Sequence, residues 1–139
     1  MATTVVPLTT PYSLKNATLV IEEDDFTQAV SAVIFTPSTS TSTWRGIGGN
    51  ILKDQAIAEW TCQVDLAQDL APDGLLRYLL EHEGESKAVV FTPVVAGPTV
   101  SATLIVTPGQ IGGTADGNTA TASVQLAVAG KPAFTDPTT

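Results

Sequence analysis

Cysteine and histidine each occur once in this sequence, lysine and arginine together six times, and charged residues fill only 14% of its 139 positions. Each scarcity closes a line of chemistry. Cys62 alone can form neither an internal disulfide nor a multi-cysteine zinc site. His82 alone would have to serve any Ser/His/Asp or Cys/His apparatus, and no nucleophile-elbow sequence accompanies it. Six cations against fourteen carboxylates give a formal net charge of −8. That field has the wrong sign for stable phosphate binding, so a nucleic-acid binder and an anionic-membrane binder are both disfavoured. No apolar run approaches the roughly 20 residues of a membrane span. Met1 to Pro11 has neither the basic region nor the apolar run of a signal peptide, so the expectation is a chain made soluble in a cytoplasm.

Threonine, serine, alanine and glycine take the place of the missing charge. Small uncharged groups cost little to desolvate, and a surface made of them suits protein–protein contact. The length predicts one domain spanning 1–139, large enough to bury a core without staples. Within it, residues 1–16 and 130–139 read as extended segments and 37–55 as a long loop. No internal repeat is evident.

The apolar runs are short, rich in β-branched residues and alternating. Ala17–Glu22 reads as a strand, Glu22-Glu23-Asp24-Asp25 as an acidic turn, and Phe26–Thr36 as the returning strand of a hairpin ended by Pro37. Ala56–Leu66 alternates most cleanly. Ala56, Ala58, Trp60, Cys62, Val64 and Leu66 face one way; Ile57, Glu59, Thr61, Gln63 and Asp65 face the other. Leu75, Leu76, Leu79 and Leu80 switch the period to helical. Asp69 or Asp73 is placed to cap that helix, and Gly84 to end it. The expected helix plugs one open end of the β-structure. Lys87–Pro93, Thr99–Thr107 and Asn118–Val128 complete the strands, with a turn signal at Asp116-Gly117 before the last. The fold class expected is mainly β: an antiparallel β-sandwich or partial barrel with one short helix.

The segment from Pro37 to about Gln55 is the most unusual. It carries a Ser/Thr run, then Trp44, Arg45, Ile47, Ile51 and Leu52 among glycines. Loops this long are uncommon in compact domains and are often functional. Its apolar groups need a covering surface, and a neighbouring subunit is a natural one. Trp44-Arg45 reads equally as an interface anchor or as an indole packed within its own chain. Gly46-Ile47-Gly48-Gly49 lacks the Lys-Ser/Thr of a phosphate loop. Glu22–Asp25 lacks the alternate-oxygen spacing of a calcium loop and reads as a solvated tip. Glu59 and Asp65 could serve as an acid/base pair, but no sugar-stacking aromatic shares their face. A plain polar face is the simpler reading. No catalytic, cofactor or metal residue is therefore assigned, and the expectation is a structural protein and not an enzyme.

Three segments carry a family likeness. They are Glu59–Asp65 through Gly74–Leu79 and Gly84 to Val89–Pro93, the stretch at Trp44-Arg45-Gly46, and the run from Ser101 through Ile111-Gly112-Gly113 to Ser123–Pro132. In pattern and order they resemble the tail tube proteins of siphophages, particularly those of actinobacterial phages. The resemblance covers nearly the whole chain, without room for the extra C-terminal immunoglobulin-like module of some relatives. It implies a virion protein that joins copies of itself into hexameric rings. The rings would stack into a tail tube that surrounds the tape-measure protein and later conducts double-stranded DNA without holding it. Tail-tip and tail-terminator proteins would be further partners. The long loop and both termini commonly reach an adjacent subunit or ring in that family. On this reading Trp44, Arg45, Ile47, Ile51 and Leu52 are subunit-interface candidates. Glu22, Glu59, Thr61, Gln63 and Asp65 would line the lumen, where like charge leaves DNA no electrostatic trap; Thr121, Ser123 and Gln125 are weaker candidates. The competing expectations are a non-assembling binding or adhesion sandwich, an acidic-pair hydrolase, and another virion structural role.

Overall fold

The structure, a computed structural model, describes residues 3–137; the outermost residues of the two expected extended segments, 1–2 and 138–139, lie outside them. Ten strands and one helix follow the N-terminal arm. They are β1 (Thr18–Ile21), β2 (Asp24–Asp25), β3 (Val30–Ser38), β4 (Thr41–Arg45), β5 (Ile51–Gln55), β6 (Glu59–Ala67), α1 (Leu75–Glu81), β7 (Ser86–Thr92), β8 (Thr99–Ile105), β9 (Thr121–Val128) and β10 (Ala133–Thr135). Eight strands form one antiparallel sheet in the order β2-β1-β7-β8-β9-β6-β3, with β10 also paired to β8; β4 and β5 pair only with each other.

A single sheet with one apolar face can bury that face only by curling around it. The inward residues are those that alternation assigns to the core: Cys62, Val64 and Leu66 on β6, Ala122, Val124 and Leu126 on β9, Val89 and Phe91 on β7, and Leu19 and Ile21 on β1. The curl brings the two ends of the sheet together. Phe35 on β3 and Phe91 on β7 lie with ring centroids 6.4 Å apart. A register shift between Val30 and Ala32 marks a bulge that helps bend β3 inward. The result is a partial barrel, the second of the two forms expected.

Leu75, Leu76 and Leu79 of α1 close one end of this barrel. The Tyr78 ring tilts against Phe26 at 5.1 Å. The helix is shorter than its sequence suggests. Gly74 is its N-cap and no side chain caps it. Asp69 instead accepts a hydrogen bond from the Ala71 N–H at 3.0 Å, shaping the turn before the helix. Gly84 ends the turn at φ +83°, a conformation that suits glycine. Leu80, assigned to the apolar stripe, is about half exposed.

Two further expectations are corrected. β1 and β3 do not form a hairpin. β1 pairs with β2 and β7, while β3 crosses to the far side of the sheet and pairs with β6. Residues Thr27–Ala29, assigned to the returning strand, form a short 3-10 turn that makes the crossing. Pro37 does not end β3; it sits inside it, opposite Trp60. β3 is the last strand of the order, so half its N–H groups have no ladder partner and proline is tolerated there.

Candidate assembly surface

The segment 37–55 is not a loop but the outer part of a long β-hairpin. β3 and β6 pair as far as Ser38 opposite Glu59. The Ala56 N–H then donates to the Ser40 carbonyl at 2.8 Å. β4 and β5 carry the ladder on from Thr41 opposite Gln55 to Arg45 opposite Ile51. At the rise of an extended strand the hairpin reaches roughly 20 Å beyond Ser38. Threonine, tryptophan and isoleucine favour the extended backbone. The tip is closed by a bond from the Gly46 N–H to the Asn50 carbonyl at 2.9 Å and another from the Gly49 N–H to the Gly46 carbonyl at 3.1 Å. Glycine is favoured at Gly49, which lies at φ +89°; a Cβ on Gly46 would meet only the exposed Asn50 side chain, which can turn aside.

Every residue of β4 and β5 is exposed. Register divides them between two faces. Trp44 lies opposite Leu52 on one face; Arg45 opposite Ile51, and Thr43 opposite Lys53, lie on the other. Trp44 is 68% exposed and Leu52 66%, so the indole is not packed within its own chain. Ile47 stands at the tip, also exposed. The five residues singled out in sequence thus share one projecting element, though not one face of it. An isolated two-stranded hairpin is marginal in water. Nothing among the described residues covers this one.

The lumen candidates on β6 do fall on one face. Thr61, Gln63 and Asp65 point away from the core, opposite Thr36, Ile34 and Ala32 on β3 and opposite Ala127, Gln125 and Ser123 on β9. Gln63 Nε2 donates to Asp65 Oδ1 at 3.3 Å. Glu59 continues the row at the exposed end of the strand. Ile34, about half exposed, interrupts the polar band. Glu22 is not part of it. It sits in the β1–β2 turn, with β7, β8 and β9 between β1 and β6 in the sheet order. Its backbone has a positive φ of 56°, and its Oε1 accepts from the Ala88 N–H at 3.2 Å.

Carboxylates gather instead at the helix-plugged end. The β1–β2 turn, the segment before α1 and the turn after α1 meet there. The Tyr78 hydroxyl titrates above its ordinary value because burial disfavours the phenolate, and because Asp24, Glu22 and Glu85 surround it with negative charge. A depression of about 390 Å³ lies between Asp24, Asp25, Pro72, Asp73, Tyr78 and Glu81. His82, expected to sit at the helix C-terminus, is the C-cap residue; its Nδ1 lies 2.7 Å from Glu85 Oε2 and its ring is tilted at 45° against Tyr78, with centroids 4.4 Å apart. Asp25 is bound by the Thr27 hydroxyl and N–H, which holds its carboxyl below the usual value. Among the described residues no group of three or more His, Cys, Asp or Glu is arranged to hold a metal ion, and no helix is long and apolar enough to cross a membrane.

Sequence reasoning passed over the other exposed apolar groups. Val5, Val6, Leu8 and Tyr12 lie on an arm, residues 3–17, that has neither helix nor strand. Val94 and Val95 sit in the β7–β8 turn, and Phe134 on β10. Isolated apolar residues flanked by threonine or proline give no periodic signal. Their exposure becomes visible only once the sheet is assembled. A groove of about 210 Å³ marks the open seam between β1 and β3, lined by Leu14, Ala17, Val30 and Phe91 among others.

No protein-family model matches this chain, and no curated protein matches it by sequence. Two solved structures share the fold across nearly their full length. One is the sheath/tube terminator, in the extended state, of an extracellular contractile injection system termed PVC. It has a TM-score of 0.68 at 12% identity and covers 93% of this chain and 99% of its own. The other is the tube-terminating cap of the anti-feeding prophage, with a TM-score of 0.61 at 9% identity, covering 98% of this chain and 99% of its own. The mainly β partial barrel with one short helix is thus a fold found in tube-associated proteins of phage-tail-like particles.

Proposed function

We propose that this chain is a structural subunit of a phage-tail-like tube, and that copies of it associate into hexameric rings. The observation that carries the reading is the β4–β5 hairpin, ten strand residues projecting from the barrel with Trp44, Ile51 and Leu52 exposed. A lone monomer gains little from such an element, whereas an assembly covers it. The exposed apolar arm, the Val94-Val95 turn and Phe134 support the same reading. So does the full-length likeness in fold to two tube-terminating proteins.

Within this reading the chain is the repeating subunit of a siphophage-type tail tube. Its rings stack around a tape-measure protein, meet tail-tip and terminator proteins at the two ends, and let double-stranded DNA pass. The band of Glu59, Thr61, Gln63 and Asp65 faces the lumen, where its carboxylates repel phosphate. The protein acts in the virion and performs no catalysis. A second reading is favoured by the two fold neighbours: a terminator, present as a single ring at the end of the tube.

Negative-stain electron microscopy of the purified chain over a range of concentrations separates them. Hollow tubes of uniform bore are expected for the repeating subunit, and isolated rings for the terminator. Monomers that stay monomeric when a preformed tail tip is added would overturn both.

A further inference from the structure

The sheet register gives the subunit two chemically different ends. Thr18 stands opposite Thr92, Phe91 opposite Val100, Leu104 opposite Val128, and Ser38 opposite Glu59. The N-terminal arm, the β7–β8 turn and the β4–β5 hairpin therefore leave from one end. The β1–β2 turn, the β6–α1 connection and α1 occupy the other.

Charge is divided the same way. The helix end collects nine of the fourteen carboxylates: four from Glu22–Asp25, two from Asp69 and Asp73, and three from Glu81, Glu83 and Glu85. Its cations are Arg77 and Lys87, the latter already 3.9 Å from Glu85. On the hairpin, Arg45 and Lys53 are diagonal neighbours on one face beside Ile51, and neither forms an ion pair among the described residues. Two like charges held side by side without a counter-charge are mutually repulsive. A surface of opposite sign relieves that repulsion. The depression between Asp25, Asp73 and Glu81 opens at the opposite end of the same molecule.

Resting on the ring reading above, we propose that the Arg45–Ile51–Lys53 face of the hairpin docks on the carboxylate-rich helix end of a second copy of this chain. The contact is heterologous. Each copy offers a basic projection at one end and an acidic receiver at the other, so the arrangement propagates in one direction without closing on itself. The ring-to-ring contact is then both polar in direction and sensitive to salt, because its charges meet near solvent. The Trp44–Leu52 face of the same hairpin is left for an apolar neighbour.

Charge reversal tests this. Arg45, Lys53, Asp73 and Glu81 are all exposed, so R45E/K53E and D73K/E81K should leave the urea midpoint of the subunit unchanged. Each double variant should raise the concentration needed for tube growth at low salt about tenfold or more, because reversal sets like charges against each other across the contact. The quadruple variant, with both ends reversed, should bring that threshold back toward the wild type. Tubes from R45E/K53E that match the wild type would overturn the docking while leaving the ring reading intact. So would a quadruple variant no better than the doubles, or loss of the rings themselves in R45E/K53E alone, which would put the hairpin between neighbours of one ring. A wild type that forms neither rings nor tubes would remove the ring reading as well.

Discussion

On the ring reading, the same truncation at two leucines separates what holds the chain together from what would join it to a second copy. Leu75, at 1% exposure, is part of the helix plug; Leu52, at 66%, stands on the hairpin. Leu75→Ala deletes atoms from a packed interior that relaxes only in part, which costs about 3 kcal/mol. With a denaturant slope of about 1.5 kcal/mol/M in urea, the unfolding midpoint should fall by about 2 M. Leu52→Ala removes the same atoms from a side chain with only a third of its surface covered. It should cost no more than about 0.7 kcal/mol, a shift of about 0.5 M or less. The assay is urea unfolding followed by far-ultraviolet circular dichroism, at a concentration too low for assembly. Ring or tube formation by the same proteins is then scored by sedimentation. Leu52→Ala should be the stable variant that assembles poorly, and Leu75→Ala the unstable one. Equal midpoint shifts would refute the reasoning, because they would mean that the hairpin packs on its own barrel.

Burial of Cys62 at the barrel centre lifts its thiol to about 12, so it should resist alkylation by iodoacetamide at pH 8 and react once guanidinium unfolds the chain. Gly49→Ala places a Cβ at φ +89°, which should cost about 1 kcal/mol locally; hydrogen exchange should quicken at the β4–β5 amides and not in β6 or β9. Asp25 is held below its ordinary carboxylate value by the Thr27 hydroxyl and then by the Thr27 N–H, so its ionised form favours the folded state. That contribution is present above the ordinary value and drains away as pH falls through the lowered one. Asp25→Asn should therefore flatten part of the acid limb of a stability–pH profile measured between pH 5 and pH 2.

Strands with one buried face were legible, because burial writes period 2 into the sequence. β6 and β9 followed from Cys62, Val64 and Leu66 and from Ala122, Val124 and Leu126. The hairpin at 41–55 was not legible for the complementary reason. With both faces exposed, its apolar residues fall on either side, Trp44 and Leu52 on one and Ile51 on the other, and alternation vanishes. The expected β1–β3 hairpin failed because neighbours in sequence pair only by tendency. The turn at Thr27–Ala29 redirects the chain, and β6 supplies a longer partner for β3. The helix start was misplaced because Asp69 spends its carboxylate on the Ala71 N–H, leaving Gly74 at the cap. Of the candidate residues, Glu59, Thr61, Gln63 and Asp65 lie on one face of β6, the face to which alternation alone assigns them. Glu22 lies apart from that face, in a turn whose place depends on strand order, which no local pattern encodes.

The plugged barrel has a consequence for any conduit built from this chain. A sheet of about eight strands curled on itself encloses room for its own side chains and little more. Here that room is taken by Leu66, Leu104, Val89 and by Leu75, Leu76 and Leu79 of α1. Nothing as wide as a duplex can be threaded through a single subunit. The bore must be the space that several copies leave between them, so its diameter is an arithmetic property of copy number and tilt. A substitution inside the barrel can unfold the wall but cannot widen the channel; only a change at the contacts between copies can do that.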